Sequence, residues 1–331
     1  MHNLYPLLMK PLFDPRPWGR LDLSPIYSKK FDETIGESWL TGDNCVVQNG
    51  PLAGRSLAEL SAQYQRELVG EAPRDGHRFP LLLKFLFPQE KLSVQVHPDD
   101  AAAQDVGEPC GKTECWYVAH ADRGAEIGLG LKTGVTRADF EKSIRENRAE
   151  ELLNWIKVSA GDMIFVAGGT VHTLGPGSII VETQQQSDTT YRLYDYGRPR
   201  ELHLKHGLRA IKENAPSGKV RPLAPRNLNG SGSRQQQLVA SSYFAVEKYE
   251  LKSSHQFDVA AGKSSAQILV ATEGGGSLSA PACDAVRFGK GDAVVIPASI
   301  ARFDLQPQGA LQFIRSFVPG TAVGEPETSI E

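Results

Sequence analysis

Short runs of apolar or alternating residues recur along the whole chain, and their pattern predicts strands. The runs are rich in β-branched and aromatic side chains, and Gly, Pro or Asp residues separate them. The nine clearest are LLLKFLF (81–87), LSVQVHP (92–98), ECWYVAH (114–120), DMIFVAG (162–168), SIIVETQQ (178–185), YFAVEKYEL (243–251), AQILVAT (266–272), DAVVIPA (292–298) and ALQFIRSF (310–317). Because no regular helix separates each pair, the pattern favours an antiparallel sandwich or barrel over a doubly wound sheet.

Three segments carry helix signals. Ser56 opens a capping box, and the helix that follows it is predicted to end at Gly70. A second helical segment begins at Thr136, and its apolar spacing continues to Ile156, which indicates two short helices. The third helix is predicted over residues 201–212. The sequence therefore predicts a mainly β protein with a few added helices.

The chain divides at a segment that has no apolar periodicity. Residues 213–235 are rich in Pro and Gly, which is typical of an exposed linker. On its two sides, GDMIFVA (161–167) can be aligned with GDAVVIP (291–297) at an offset of 130 residues. We therefore predict two similar β-units, residues 1–212 and residues 236–331.

Charge and composition exclude several classes of protein. The 36 basic and 39 acidic residues give a formal net charge of -3, so no overall field attracts nucleic acid or an anionic membrane. The apolar run before Lys10 is too short for a signal peptide, and no stretch approaches the ~18 apolar residues of a membrane span. We expect a cytoplasmic protein whose cysteines, Cys45, Cys110, Cys115 and Cys283, are free thiols.

Candidate metal ligands lie on or next to the predicted strands. Ser93, Gln95 and His97 share one face of LSVQVHP because strand side chains alternate. Glu114 opens the next strand, and His172 follows a turn at which the chain can fold back. Two imidazoles and one carboxylate suit Zn²⁺ or Fe²⁺, and three protein ligands leave a position open, as catalytic sites do.

The spacing of these residues resembles the two metal motifs of the cupin superfamily, H-x-H…E and G-x5-P-x-G-x2-H. Gln95 stands in place of the first His, and Ala167 stands in place of the Pro. The resemblance implies a fold of two cupin jelly-roll β-barrels. In the second unit, Arg302 matches His172 and a position near Gln267 matches the glutamate, so that unit is predicted to bind no metal.

Longer stretches resemble type I mannose-6-phosphate isomerases, specifically the shorter bacterial form. The most specific are LSVQVHPDD and GKTE, with support from RPWGR (16–20), IGESW (35–39), NGPLAGRSLAEL, GTVHTLGPG and QQSDTTYRLYDYGR (185–198). The resemblance implies a zinc-dependent aldose–ketose isomerase that interconverts mannose 6-phosphate and fructose 6-phosphate through an enediol or enediolate. The negative charge that develops on the sugar oxygens in such a reaction must be stabilised by a fixed positive group.

The resemblance also implies the ligands of one zinc ion per chain. His97, Glu114 and His172 correspond to the metal ligands of the family, and Gln95 corresponds to a fourth or weak ligand. Residues 1–212 are thereby expected to be the catalytic, metal-binding domain.

Further residues match the family's substrate pocket. Ser93, Lys112, Asp188 and Arg192 are the implied substrate contacts, and Arg192, Lys112 and Glu182 are the implied catalytic residues. Glu182 and Lys112 are both candidates for the base that carries the proton between the two sugar carbons. The sequence does not choose between these two residues.

Two other functions use the same residues. A mononuclear Fe(II) cupin oxygenase also uses two His and one carboxylate, and a catalytically silent sugar-phosphate-binding paralogue would keep the pocket without turnover. The expected partner is a small sugar phosphate, with neither nucleic acid nor membrane, and the chain is expected to be a monomer or a homodimer.

Overall fold

Strands form most of the regular structure of the computed structural model, which describes residues 3–71, 78–228, 230, 232–259, 265–320 and 330. The strands up to the predicted linker are β1 (Leu7–Leu8), β2 (Leu12–Asp22), β3 (Lys30–Trp39), β4 (Leu81–Leu86), β5 (Val94–Val96), β6 (Glu114–Ala121), β7 (Glu126–Leu131), β8 (Leu153–Lys157), β9 (Met163–Val166), β10 (His172–Leu174), β11 (Ser178–Gln185) and β12 (Tyr191–Tyr194). The strands that follow are β13 (Gly218–Val220), β14 (Arg226–Leu228), β15 (Ser233–Ala240), β16 (Ala245–Leu251), β17 (His255–Asp258), β18 (Gln267–Ser279), β19 (Val286–Gly289), β20 (Ala293–Ile296) and β21 (Arg302–Phe317). The predicted mainly β class is confirmed.

Short helices are added to this framework. In the described ranges they are α1 (Leu57–Tyr64), α2 (Arg66–Val69), α3 (Asp100–Gln104), α4 (Arg137–Arg145) and α5 (Leu204–Ala210), with 3-10 turns at Gly50–Leu52 and Ala149–Leu152. The capping boxes predicted at Ser56 and Thr136 are both present. A left-handed residue, Gln65 (φ 44°), divides the first predicted helix into two. The longest helix in the described ranges has nine residues, and none could cross a bilayer.

The first unit is a sandwich of two antiparallel sheets. One sheet has the strand order β13-β9-β6-β11-β4-β3-β2, and the other has the order β12-β5-β10-β7-β8. Buried side chains of both sheets, among them Trp116 and Ile164 from the first and Ile127 and Leu174 from the second, meet in one core. The strands with the candidate ligands therefore face each other across this core.

The second unit is one nine-stranded sheet with its own core. Its strand order is β1-β20-β18-β21-β16-β15-β14, and β17 and β19 pair with β21 and β18. Aromatic rings fill the core: Phe257 stacks on Phe303 at 4.7 Å, and Tyr249 stacks on Phe313 at 5.0 Å. A further core cluster packs the first unit against the second, with Phe85 and Val181 on one side and Ile268 and Val270 on the other.

The segment between the units contains regular structure that its composition does not predict. β13 joins the first unit's sheet by pairing with β9, and β14 joins the second unit's sheet by pairing with β15. A strand from the start of the chain also joins the second unit's sheet: β1 pairs with β20, with Leu7 opposite Val295. Residues 213–235 thus contain short strands that their composition does not predict, because backbone pairing does not need apolar periodicity.

The two copies of the internal repeat have the same local structure. Gly161 (φ 96°) and Gly291 (φ 89°) both have a positive φ in the left-handed region. Each is followed by an Asp and then by a strand. The second unit carries Arg302 at the first residue of β21, where the first unit has His172 at the first residue of β10. The Arg302 side chain is exposed and pairs with Asp258. In the described part of the second unit, no group of three or more His, Cys, Asp or Glu side chains lies close enough together to hold a metal ion.

Several elements differ from the sequence prediction. Residues 153–157 form β8, although the spacing of Leu152, Leu153 and Ile156 predicts a helix. Leu152 and Ile156 are four residues apart, and a separation of four keeps two side chains on one side of a helix and of a strand alike. The strands β2 and β3 were not predicted. β2 is an edge strand that contains Pro15 and Pro17 and is mostly exposed, so it lacks the apolar alternation of a buried strand.

Candidate active site

The structure brings three predicted metal ligands together. His97 directly follows β5, and Glu114 and His172 are the first residues of β6 and β10. Nε2 of His97 and Nε2 of His172 each lie 3.5 Å from a different carboxylate oxygen of Glu114. One donor atom from each residue lies within 4.8 Å of the other two, and all three side chains are buried.

Backbone contacts determine which ring nitrogens are available. Nδ1 of His97 lies 3.0 Å from the Thr189 carbonyl oxygen, and Nδ1 of His172 lies 2.9 Å from the Thr170 carbonyl oxygen. A carbonyl only accepts, so each Nδ1 carries the hydrogen and each Nε2 presents a lone pair to the cluster. Burial lowers the pKa of His172 to about 4, and burial and the nearby Lys112 lower the pKa of His97. Both rings are therefore neutral near pH 7, as metal binding requires.

Two glycines allow the loops of this site to approach one another. A Cβ on Gly111 would lie 2.5 Å from the Asp99 carbonyl carbon, and a Cβ on Gly168 would lie 2.7 Å from the Asp99 Cα. Backbone hydrogen bonds close the same contacts: the Lys112 N–H donates to the Pro98 carbonyl at 2.9 Å. The loops before Glu114 and His172 thus pack directly on the turn that follows His97.

Polar neighbours orient the ligands. Trp116 Nε1 donates to Glu114 Oε1 at 3.1 Å, and Gln95 Nε2 lies 3.2 Å from His172 Nε2. The Lys112 ammonium lies 3.0 Å from His97 Nε2 and 3.2 Å from Glu114 Oε2. The donor atoms therefore already face a positive group.

The donor set fits a zinc ion. A tetrahedral ion with bonds of about 2.1 Å separates its ligand atoms by about 3.4 Å. Each histidine Nε2 lies 3.5 Å from one oxygen of Glu114, although the two rings approach different oxygens of that carboxylate. Glu114 Oε2 is buried and accepts no hydrogen bond of regular geometry from the described residues. The Lys112 ammonium lies 3.2 Å from it, so this oxygen already attracts a cation. Gln95 lies next to the cluster, with its amide Nε2 3.2 Å from His172 Nε2. Its predicted role as a fourth or weak ligand remains a proposal.

A cavity of about 490 Å³ opens beside the cluster. It is lined by Pro15, Arg16, Pro17, Trp18, Glu37, Lys84, Leu86, Leu92, Ser93, Gln95, Lys112, Glu182, Asp188, Thr190, Arg192 and Arg200. All the residues that the sequence assigned to substrate binding or catalysis, namely Ser93, Lys112, Glu182, Asp188 and Arg192, are among them. Their predicted roles remain proposals.

A buried lysine that was not predicted connects the carboxylates of the cavity. Lys84 is 3% exposed, and its Nζ lies 3.3 Å from Glu37, 3.6 Å from Glu182 and 3.7 Å from Asp188. Burial alone would raise the Glu37 pKa, but Lys84 and Arg16 outweigh that effect and lower it to about 2. A lysine inside the apolar run LLLKFLF was the available signal, because a charge in a fully buried strand needs partners.

Glu182 differs from Glu37. Burial raises its pKa, and the nearby negative charge of Glu114 raises it further. Its Oε1 is buried and has no hydrogen-bond partner among the described residues. This carboxyl group therefore holds a proton more readily than an ordinary glutamate does.

Arginines occupy another part of the cavity wall. Arg192 lies on β12 opposite Gln95 of β5, and its Nη1 donates to the Glu201 carbonyl at 2.8 Å. The buried Asp195 accepts hydrogen bonds from Arg200 Nε at 2.6 Å and Arg200 Nη2 at 2.7 Å. Neither Arg200 nor Asp195 was singled out from the sequence, because both lie in a loop without a periodic pattern.

Two family models match parts of the chain. Residues 22–109 match the model described as phosphomannose isomerase type I, catalytic domain. Residues 234–318 match the model described as mannose-6-phosphate isomerase, cupin domain.

Curated relatives and a solved structure match nearly the whole chain. The mannose-6-phosphate isomerase ManA of Bacillus subtilis is 36% identical over 320 residues, which cover 91% of this chain and 96% of the relative. The mannose-6-phosphate isomerase of Streptococcus mutans is 34% identical over 322 residues, which cover 94% of this chain and 98% of that relative. The crystal structure of the mannose 6-phosphate isomerase from Bacillus subtilis superimposes with a TM-score of 0.83 at 32% identity, covering 94% of this chain and 99% of that one.

Proposed function

The chain belongs to the type I mannose-6-phosphate isomerase family, and on that premise we propose that it interconverts mannose 6-phosphate and fructose 6-phosphate with one bound zinc ion, through an enediol or enediolate of the sugar. The observation that carries the proposal is the cluster of His97, Glu114 and His172 beside a cavity lined with arginine, lysine and carboxylate side chains. This cavity offers groups for a sugar phosphate, and the cluster offers a ligand set for the ion.

The two Nε2 atoms and the Glu114 carboxylate would hold the metal, with Gln95 as the nearest further donor. A bound Zn²⁺ would supply a Lewis acid for the negative charge that develops on the sugar oxygens. The hydrogen bonds from each Nδ1 to a backbone carbonyl hold the rings of His97 and His172 in the required tautomer.

Glu182 is the proposed base. Its carboxylate lines the cavity, and a raised pKa brings a carboxylate closer to the range in which a base both accepts and returns a proton. Lys112, the other candidate, contacts His97 and Glu114 and lies at the ligand cluster. In this assignment Glu182 transfers the proton between the two sugar carbons, and Lys112 donates hydrogen bonds to the sugar oxygens.

The remaining predicted residues would orient the substrate. Ser93 and Asp188 offer a hydroxyl and a carboxylate for sugar hydroxyls, and Arg192 offers a permanently charged planar fork. Fixed donors of this kind hold the reacting carbons close to the base.

A coupled assay tests the proposal directly. Purified protein should convert mannose 6-phosphate to fructose 6-phosphate, lose activity in a chelator and regain it with Zn²⁺. His97→Ala should lose both the stoichiometric metal and the turnover. His120→Ala is a matched control, since His120 is 41% exposed and pairs with Asp122 at the surface. Full zinc content in His97→Ala would refute the ligand assignment.

The same experiment separates the other two functions. Iron that co-purifies with the protein, together with oxygen uptake, would identify an oxygenase. Binding of mannose 6-phosphate without conversion would identify a silent binding protein. Conversion that persists after complete removal of metal would refute metal dependence.

The compartment and assembly also belong to the proposal. The four cysteines form no disulfide in the described structure, a pattern that is usual in a reducing compartment such as the cytoplasm. We propose a cytoplasmic monomer or homodimer, which cell fractionation and sedimentation of the zinc-loaded protein would test.

A further inference from the structure

The positive side chains of the cavity are not matched evenly by carboxylates along its wall. The lining contains five cationic side chains and three carboxylates. The cationic residues are Arg16, Lys84, Lys112, Arg192 and Arg200, and the carboxylates are Glu37, Glu182 and Asp188. Lys84 contacts all three carboxylates, so the negative charge of the lining is concentrated around that lysine.

The wall formed by Arg192 and Arg200 has a different arrangement. The carboxylate that pairs with Arg200 is Asp195, which is 3% exposed and is not part of the cavity lining. Arg192 Nε is buried, has no hydrogen-bond partner among the described residues, and lies 4.0 Å from Asp195. Burial, and then the like charge of the nearby Arg200, lower the Arg192 pKa. This part of the wall therefore presents excess positive charge to the cavity.

The length of the substrate decides which cation can reach its phosphate. Six bonds separate C2 of an extended hexose 6-phosphate from phosphorus, a span of about 7 Å at the extension of a polypeptide chain. Lys112 contacts His97 and Glu114 directly, so it lies at the end where C1 and C2 react. The phosphate must lie well away from that lysine.

The arginine wall lies at a suitable separation. His172, Gln95 and Arg192 are register partners on the adjacent strands β10, β5 and β12. At about 4.8 Å per strand, the backbone of Arg192 lies about 10 Å from that of His172. A sugar chain that starts at the ligand cluster and crosses Gln95 therefore ends at the Arg192 and Arg200 side.

We infer that Arg200 binds the phosphate group of the substrate and that Asp195 is the positioning residue that orients Arg200; this inference rests on the function proposed above. A guanidinium has five N–H groups, and the fork onto Asp195 uses two of them. Phosphate is recognised well by the planar donors that this orientation turns toward the cavity. Asp195 thus acts on the substrate only through Arg200.

Steady-state kinetics on the zinc-loaded protein tests the inference. Arg200→Gln and Asp195→Asn should each raise the KM for mannose 6-phosphate about 10- to 100-fold, as loss of charge-assisted hydrogen bonds predicts. The kcat should stay within about threefold, because the Arg200 side chain pairs with Asp195 and contacts neither the ligand cluster nor Glu182 among the described residues. The inhibition constant of inorganic phosphate should rise by a similar factor to KM, which a merely structural role of Asp195 would not produce.

Arg198→Gln is the matched control. Arg198 also donates to Asp195, at 3.0 Å, but its other hydrogen bonds go to Glu90 and the Lys91 carbonyl, its guanidinium lies over the Tyr196 ring, and it does not line the cavity. Its KM and phosphate inhibition should equal those of the unmodified protein. If Asp195→Asn does not fold, Arg200→Gln still decides the question.

The possible results separate the two proposals. Unchanged KM and phosphate inhibition in Arg200→Gln would overturn this inference while the unmodified protein still isomerises mannose 6-phosphate. An equal rise of KM and of the phosphate inhibition constant in Arg198→Gln would overturn it as well. The effect would then arise from a change in the loop and not from the cavity wall. Absence of isomerisation in the unmodified, zinc-loaded protein would instead contradict the proposed function.

Discussion

Replacing the buried lysine of the cavity should destabilise the protein strongly. Lys84→Met keeps most of the volume of the side chain but removes the ammonium that lies within 3.7 Å of Glu37, Glu182 and Asp188. It also removes the contact of Nζ with the Trp39 ring, 4.7 Å from its centroid. Carboxylates that were paired in the folded protein would then be left without their shared counter-ion.

The shift of the Glu37 pKa gives the size of the expected loss of stability in Lys84→Met. This pKa is lowered from 4.5 to about 2 because Lys84 and Arg16 outweigh the effect of burial. At about 1.4 kcal/mol per pKa unit, this shift represents about 3 kcal/mol of stabilisation of the ionised form. Arg16 remains in the variant, while the loss of the contacts to Glu182 adds to the cost. We therefore expect the free energy of unfolding at pH 7 to fall by about 2–4 kcal/mol, close to the range for breaking a buried ion pair.

The pH dependence provides a second, independent check. The folded-state pKa of Glu37 lies below its unfolded value, so its contribution is fully present above about pH 4.5 and is lost as the pH falls toward 2. The difference in stability between the unmodified protein and Lys84→Met should therefore be largest near pH 7. It should become smaller as the pH is lowered below 4.5.

Urea unfolding at pH 7 and at pH 3.5 would measure both effects. Lys91→Met is the control, since the side chains of Lys91 and its partner Glu150 are 39% and 35% exposed, and such pairs contribute about 0–1 kcal/mol. If Lys84→Met unfolded at the same urea concentration as Lys91→Met, the buried network would contribute nothing to stability. A loss of equal size at both pH values would show that the cause is packing and not charge.

Three further substitutions probe the catalytic roles and the loop packing. Arg192→Ala should keep the bound metal and mainly lower kcat, measured by metal analysis and the coupled assay; near-normal kcat would contradict its role. Glu182→Gln should lower kcat at least 100-fold and abolish exchange of the C2 hydrogen with deuterated water, followed by NMR, whereas retained exchange would favour Lys112 as the base. Gly111→Ala should lower activity about 100-fold and the unfolding free energy by about 1–3 kcal/mol, because its Cβ would meet backbone at 2.5 Å; unchanged kinetics would show that the loop adapts.

The sequence could predict the parts of the site that follow from strand geometry. Ser93 and Gln95 line the cavity, and His97 lies in the ligand cluster that flanks it, because alternation leaves little freedom on and beside a strand. Lys112 was assigned to the pocket by the resemblance to the family. Lys84 was missed although its strand was predicted, since a single sequence does not show which carboxylates surround a lysine.

Loop residues were beyond prediction for a different reason. Asp195 and Arg200 meet through a loop whose path has no period, so their pairing depends on the folded backbone. The same holds for the strands β13 and β14, whose hydrogen bonds are formed by main-chain groups that every sequence carries. Backbone pairing across the two units is therefore visible only in three dimensions.

The pairing of β1 with a strand of the second unit limits how the protein can be divided. A cut within residues 221–225 leaves an amino-terminal fragment that carries β1, an edge strand of the other fragment's sheet. The carboxy-terminal fragment alone would expose the backbone of β20 along the line that Leu7 and Leu8 normally cover. Protein cut at this point should consequently stay associated as a heterodimer of its two fragments. The two units, although similar, therefore do not behave as separable modules.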